Sequence, residues 1–305
     1  MTDERHGRIS DRERLWTPWR MRYIASSGAR EEGCVFCNAL ARENDVESLI
    51  LHRGEHAFVI MNLFPYNSGH IMILPNEHVD DPTKLDAATL HEMADLMPIC
   101  VRALRRVYAN QGFNIGYNVG SAAGAGIAEH LHQHIVPRWN GDANFMPVLA
   151  STIAMPELLP ASYAKIRAEL RREMRNTSLV WALMLVDDDR SVLLTDDLRP
   201  GMEGQRMIPK VIAEPDQPLW RAAITPFQGW VDDIEVAGYG GKSSVLGGFE
   251  NVIMLRGQIR SELPESWSIN PIETTRFVSR YRSMIHRALG NLAPRIGPPS
   301  DPETT

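Results

Sequence analysis

Hydrophobic and polar positions change period several times along this chain. Residues 56–61 (HAFVIM) and 70–74 (HIMIL) are short β-rich runs on either side of NLFPYNSG, where Pro65, Asn67 and Gly69 favour a turn. This predicts a pair of antiparallel strands. Over residues 83–109 the apolar positions Leu85, Met93, Leu96, Cys100, Leu104 and Val107 fall near helical spacing, the strongest helical signal in the chain. Thr83 is placed to cap this helix, and Pro98 inside it predicts a kink or a break. FNIGYNVG (113–120) reads as a strand, SAAGAG (121–126) as a small-residue loop, and the segment ending at Pro137 as another strand. An exit segment begins over Asp142–Met146, and residues 161–175 read as a charged amphipathic helix that closes a first domain.

A second block opens near Thr177. LVWALMLV (179–186) is an apolar strand, DDDR (187–190) a turn, and SVLLT (191–195) its hairpin partner. Glycines cluster at 238–248, and residues 271–289 read as a final helix. Near the other end LWTPWRMRYI (15–24) concentrates aromatics and reads as a short helix docked on the core. The charged stretch 1–14 is expected to be mobile, and the proline-rich stretch 291–305 to be disordered. The expected organisation is therefore a first domain over 15–176 and a second α+β module over 177–290.

Composition narrows the picture. The 305 residues are 44% hydrophobic and 23% charged, as in an ordinary globular protein. A net charge of −6 argues against broad nucleic-acid binding, which needs a basic face. The opening residues lack the apolar core of a secretory signal, and no stretch reaches the length of a membrane span. Three cysteines are too few for a disulfide framework; Cys34 and Cys37, two residues apart, suit a metal or redox site. The expected address is the cytoplasm, with no membrane partner.

The most unusual chemistry lies in EHLHQHIVPRW, where His130, His132 and His134 occupy every second position. On a strand that spacing puts three imidazoles on one face. Taken alone, such a face fits a polar edge strand as well as a site. Imidazole can serve as base, nucleophile, anion partner or metal ligand near neutral pH. The glycine-rich loop just upstream would let backbone N–H groups approach phosphate oxygens closely.

EHLHQHIVPRW resembles the signature of the histidine-triad nucleotide hydrolases and transferases. So do FVIMNLFPYNSGHIMILPNEH (58–78) and GFNIGYNVGSAAGAGIAEHLHQH (112–134), in the same order. LWTPWRMRYI and PRWNGDANF (137–145) are similar to a bacterial branch that includes diadenosine tetraphosphate phosphorylases, so the resemblance covers about residues 11–175. It implies an α+β fold, with an antiparallel sheet of about five strands and the long helix packed on it. It implies His132 as nucleophile on the α-phosphorus of a nucleotide, with water or inorganic phosphate discharging the intermediate. His134 would contact the phosphate and His70 would support the site. Asn62 would bond the ribose hydroxyls, Asn118 would meet the phosphates, and Leu63 and Phe64 would line the base pocket. Gly124 and Gly126 belong to the phosphate-approach loop. Where many hydrolase members carry glutamine or serine, this chain has Gly126, Ile127 and Ala128, which leaves backbone N–H groups to stabilise the leaving charge.

The resemblance also implies a structural zinc. Members that carry the metal pair a CxxC with a histidine in the PNEH position and with the first triad histidine, here Cys34, Cys37, His78 and His130. Family members usually form homodimers through the long helix and an edge strand. His52, His56, His91 and Cys100 match no such role and read as surface or packing residues. The second module has no assigned role.

Overall fold

The computed structural model describes residues 32–123, 127–142, 157–197, 206–240, 251–273, 289 and 292. The expected features at 1–14, 15–24, 143–146 and 293–305 lie outside the described residues, as do Gly124, Gly126, most of the glycine cluster and nearly all of the final helix. Among the described residues two sheets form, separated by two helices.

The first sheet contains β1 (Ile50–Arg53), β2 (Ala57–Met61), β3 (Ile71–Pro75), β4 (Gly112–Tyr117) and β5 (Gln133–Arg138), in the order β1-β2-β3-β5-β4 and antiparallel throughout. Alternation sorts its side chains onto two faces. Val59, Met61, Ile71, Ile73 and Ile135 join the main core. Phe58, Ile60, Met72 and Leu74 face the other way and meet Phe36 and Ala39 of α1 (Val35–Ala41). The histidines lie on this second face, since His134 pairs across the ladder with Met72 and Gly116.

The long helix α2 runs from Ala87 to Tyr108. Its cap is Asp86, whose carboxylate accepts the Thr89 N–H at 2.7 Å. Thr83 instead lies in a separate short turn, Pro82–Lys84, capped by Asp81. Pro98 neither breaks nor ends α2: it sits on an exposed position, where water can satisfy the carbonyl one turn earlier. Leu96, Cys100 and Leu104 are fully or nearly buried within this single chain.

The reason is α3 (Leu159–Arg175), which packs on α2, on β1 and on β10. The second sheet contains β6 (Leu179–Val186), β7 (Ser191–Asp196), β8 (Arg206–Met207), β9 (Lys210–Ile212), β10 (Val231–Tyr239), β11 (Val252–Ile259) and β12 (Trp267–Pro271). Its main path is β10-β11-β6-β7-β12, with β8 against β7 and β9 against β6. The β6–β11 pair is parallel. Val180, Ala182 and Met184 face α4 (Leu219–Ile224) and share the core of the first sheet. Leu183 and Leu185 face the opposite way, towards Leu289 and Leu292. The expected helix from 271 is corrected at its start: Pro271 pairs with Ser191 in β12, and the Ile272 N–H bonds the Arg190 carbonyl. The fold is α+β, and α3 is shared between the two sheets.

Candidate active site and metal centre

The histidine segment departs from the expected strand. The β5 ladder starts at Gln133, so His130 and His132 precede it. The backbone there is held by the Leu131 N–H, which donates to the Val79 carbonyl in a loop instead of to β3. The imidazoles still form a row. His132 and His134 ring centroids are 4.7 Å apart, and Phe36 bridges His130 and His132 at 5.6 Å and 5.4 Å. All three, with His70, are less than a tenth exposed.

Hydrogen bonds to groups of fixed character assign the ring protons. The backbone N–H of Tyr66 donates to His70 Nδ1 at 3.1 Å, and Asn62 Nδ2 lies 3.3 Å from the same nitrogen. His70 Nδ1 is therefore an acceptor, and the proton of the neutral ring is on Nε2. His70 Nε2–H then donates to His134 Nδ1 at 2.9 Å. That places the His134 proton on Nε2; Asn118 Nδ2, also a donor, lies 3.5 Å away, so the two N–H groups are not bonded to each other and can converge on one anionic oxygen. In His132, Nδ1 lies 2.7 Å from the His130 carbonyl, which can only accept. Neutral His132 thus keeps its lone pair on Nε2. Burial first, then His134 and His132, holds His70 down to about 3; burial and then His132 hold His134 down to about 4. Both rings are neutral at pH 7.

The other expected contacts are brought near this row in part. The Asn62 carbonyl oxygen accepts the Phe64 N–H at 2.9 Å, which leaves it one further lone pair. Phe64 is exposed, whereas Leu63 packs against the main core. Residue roles that the sequence reading did not assign belong to Phe36 and Tyr66. Tyr66 lies over His70 at 4.7 Å and over His134 at 5.7 Å. Both aromatics stand inside motifs already in view, CVFC and PYNSGH, but an aromatic between ligands or in a turn carries no signal of what it will touch. Asp142 is a further addition: its carboxylate accepts from Arg138 Nε, Asn67 Nδ2 and the Trp139 N–H, tying the turn before His70 to the end of β5.

Cys34, Cys37, His78 and His130 converge, with their ligand atoms within 4.8 Å of one another. The His130 Nε2–H donates to the Pro75 carbonyl at 3.0 Å, so Nδ1 bears the lone pair, and it faces Cys34 and Cys37 sulfur at 3.4 Å and 3.6 Å. His78 Nδ1 lies 3.3 Å from Cys37 sulfur. Two thiols and two imidazoles with a lone pair turned inward fit a tetrahedral metal of the zinc type.

The HIT domain family matches residues 43–141. The "AP-4-A phosphorylase" of Mycobacterium tuberculosis is 34% identical over 176 residues, covering 55% of this chain and 89% of that protein. The chain belongs to the HIT family. An uncharacterised HIT-like protein of Methanocaldococcus jannaschii is 27% identical over 36% of this chain and 81% of its own length. Among solved structures, a Zn-bound histidine triad protein from Mycobacterium smegmatis is 28% identical, with a TM-score of 0.38 over 47% of this chain and 97% of that one. As a HIT protein this chain falls in a family of nucleotide hydrolases and transferases. No helix among the described residues is long and apolar enough to cross a membrane.

Proposed function

We propose that this chain is a nucleotidyl transferase that phosphorolyses diadenosine polyphosphates, taking diadenosine tetraphosphate and inorganic phosphate to ADP and ATP. The observation that carries the reading is the proton arrangement of the histidine row. His132 offers a bare Nε2 beside the Nε2–H of His134, a nucleophile next to a phosphate donor. The relative from Mycobacterium tuberculosis supports the choice of substrate.

In this mechanism His132 Nε2 attacks the α-phosphorus. A P–N bond forms, the bond to the bridging oxygen breaks, and ATP leaves. An oxygen of inorganic phosphate then attacks the same phosphorus, releasing ADP and restoring His132. The Nδ1–H bond to the His130 carbonyl stabilises the imidazolium that develops during attack. His134 donates to a non-bridging oxygen; its low pKa keeps the ring neutral, and its one lone pair, on Nδ1, is taken by the His70 Nε2–H, so it does not compete as a nucleophile. His70 holds His134 in the donating tautomer. Asn62 keeps an oxygen lone pair for the ribose, Asn118 stands beside the phosphate position, and Phe64 with Leu63 borders the base.

Zinc would be held by Cys34, Cys37, His78 and His130 in a structural role, since all four positions are filled by protein. In this reading residues 15–176 carry the chemistry, and 177–290 back the sheet from behind through α3. We also propose a homodimer formed along β4, an edge strand whose Ile115 and Tyr117 are exposed beside α2, and a cytoplasmic location.

The test is to mix the purified protein with diadenosine tetraphosphate, with and without inorganic phosphate. ADP plus ATP only when phosphate is present is the expected result. AMP plus ATP regardless of phosphate would make the protein a hydrolase, and tight binding without turnover would make it a nucleotide sensor.

A further inference from the structure

We infer that Gly116 is a specificity-determining residue: it leaves a gap in β4 beside His134, over which the polyphosphate arm of the leaving nucleotide runs. The inference rests on His132 as nucleophile. Gly116 pairs with His134 across the β4–β5 ladder, so a side chain at 116 would stand on the histidine face. Glycine is needed at neighbouring positions for reasons absent here. Gly120 adopts a φ of 78°, and Gly69, with a φ of 76°, lies against the Tyr108 ring, where a Cβ would collide. Gly116 lies within a strand outside that left-handed region, and a Cβ there would meet nothing within 4 Å among the described residues. A glycine inside a strand costs backbone entropy and adds no packing; its usual reason is the close approach of a ligand or another backbone. A strand added at the β4 edge would lie in the plane of the sheet, so it would not require a bare Cα on the histidine face.

Strand order decides which part of the substrate passes there. In the order β2-β3-β5-β4, Asn62 follows β2 on one side of His134, and Gly116 lies on the other. Asn62 meets His70, whose ring Tyr66 covers, so the nucleoside half takes the β2 side. The half displaced in line by His132 then leaves over β4. That face offers donors for an anionic arm. Asn118 Nδ2 lies 3.5 Å from His134 Nε2. Asn114 accepts from Arg138 with its oxygen and keeps its amide nitrogen without a partner among the described residues. Asn118 and Asn114 are four residues apart, about 13 Å of strand, so their amides bracket a chain of phosphates with bare Gly116 between them.

The experiment measures single-turnover adenylylation of His132 by two donors that share the AMP half. Diadenosine tetraphosphate leaves ATP, and adenosine 5′-phosphorimidazolide leaves imidazole. The full chain is compared with Gly116→Val and with Gly116→Ala as a smaller step, and urea midpoints are read alongside. Both donors are expected to label His132 in the unaltered chain. Gly116→Val is expected to slow labelling by diadenosine tetraphosphate about 10–100-fold and to leave labelling by the imidazolide nearly unchanged, with Gly116→Ala between. The midpoints are expected to hold or rise, since the new Cβ enters open space and valine suits a strand. Equal slowing of both donors, slowing of neither, or a midpoint that falls in Gly116→Ala overturns the inference and leaves the nucleophile reading standing. No label at His132 from either donor in the unaltered chain overturns the nucleophile reading instead, so the two failures are distinguishable.

Discussion

The histidine row and the charged seam along α3 are both buried, yet they direct their hydrogen bonds differently. In the row, His70 and His130 use both ring nitrogens, while His134 and His132 each leave one without a complementary partner among the described residues. His70 leans on Tyr66 and Asn62, His134 leans on His70, and the series ends at an outward Nε2–H; His132 leans on a carbonyl and ends at a bare nitrogen. In the seam the bonds end on protein groups, with Arg167 Nε and Glu169 Oε2 making no hydrogen bond of their own. Arg167, almost fully buried, donates to the Ile50 and Leu51 carbonyls and to Asp45, which also accepts from Arg53. Glu169 accepts the Leu219 N–H and lies 3.1 Å from Arg106 of α2, and Arg172 donates to the Glu214 and Gln217 carbonyls. The difference separates a site from a staple. Buried polarity whose last atom is left to a ligand makes a site, and buried polarity whose bonds run between elements fixes the two sheets to one another.

The comparison can be broken most forcefully at His132. His132→Ala is expected to lower turnover about a thousandfold or more, while the urea midpoint moves little. A mutant that unfolds, or one that keeps its rate, would place His132 on the stapling side. The reverse profile is expected of Arg167→Met. It takes one of two cations from Asp45, which keeps Arg53, and removes the donor to the Leu51 carbonyl, while Tyr163 still serves Ile50; the loss of stability should be about 1–3 kcal/mol by urea titration, with turnover under native conditions changed far less. Equal damage to rate and stability would show that the seam and the site are not separable.

Titration sharpens the contrast because the two regions carry opposite signs. His70 and His134 have folded pKa values of about 3 and about 4, below the usual 6.5, so the unfolded chain binds protons first. Their stabilisation is complete above pH 6.5 and is lost as pH falls from there through about 4. His52, lowered to about 4 by burial and Arg167, adds to this. Glu169 is raised to about 7 by burial, against the pull of the Leu219 N–H, Arg172 and Arg106, so its contribution is present below 4.5 and is lost as pH rises towards 7. Between about pH 4.5 and 6.5 the two trends oppose. Glu169→Gln is expected to steepen the rise of stability with pH there by about one proton, read from urea midpoints across a pH series. An unchanged slope would mean that Glu169 ionises normally. The smallest effect concerns the edge. Ile115→Lys should shift the assembly from dimer to monomer in sedimentation with little change in the midpoint of unfolding, because Ile115 is exposed within one chain.

How much of this was legible beforehand divides along the same line. The alternation in HAFVIM and HIMIL, the helix around Cys100 and the LVWALMLV hairpin appear where the periodicity puts them, because each buries one stripe against a neighbour. The row of histidines was legible because spacing survives even where the ladder does not, and the Cys34, Cys37, His78 and His130 group converges as the motif comparison implied. Helix starts were less legible: Asp81 and Asp86 both compete with Thr83, and only tertiary packing chooses among adjacent caps. The shared role of α3 was not legible. A helix reading as charged and amphipathic buries Arg167, Glu169, Arg171 and Arg172, since its polar groups meet partners that come from β1, α2 and the loop before α4. Sequence polarity marked it as the edge of a domain, whereas the chain uses that polarity to join two sheets.

The central claim is that His132 forms a covalent bond to the nucleotide. The most direct measurement is to mix the protein with diadenosine tetraphosphate in the absence of phosphate, quench in denaturant at alkaline pH, where phosphoramidates persist, and map the adduct by peptide mass spectrometry. The account expects one adenylyl group on the peptide containing His132, discharged as ADP when phosphate is added before the quench. Adduct on another residue, or turnover with no adduct under conditions that preserve a phosphoramidate standard, would contradict it.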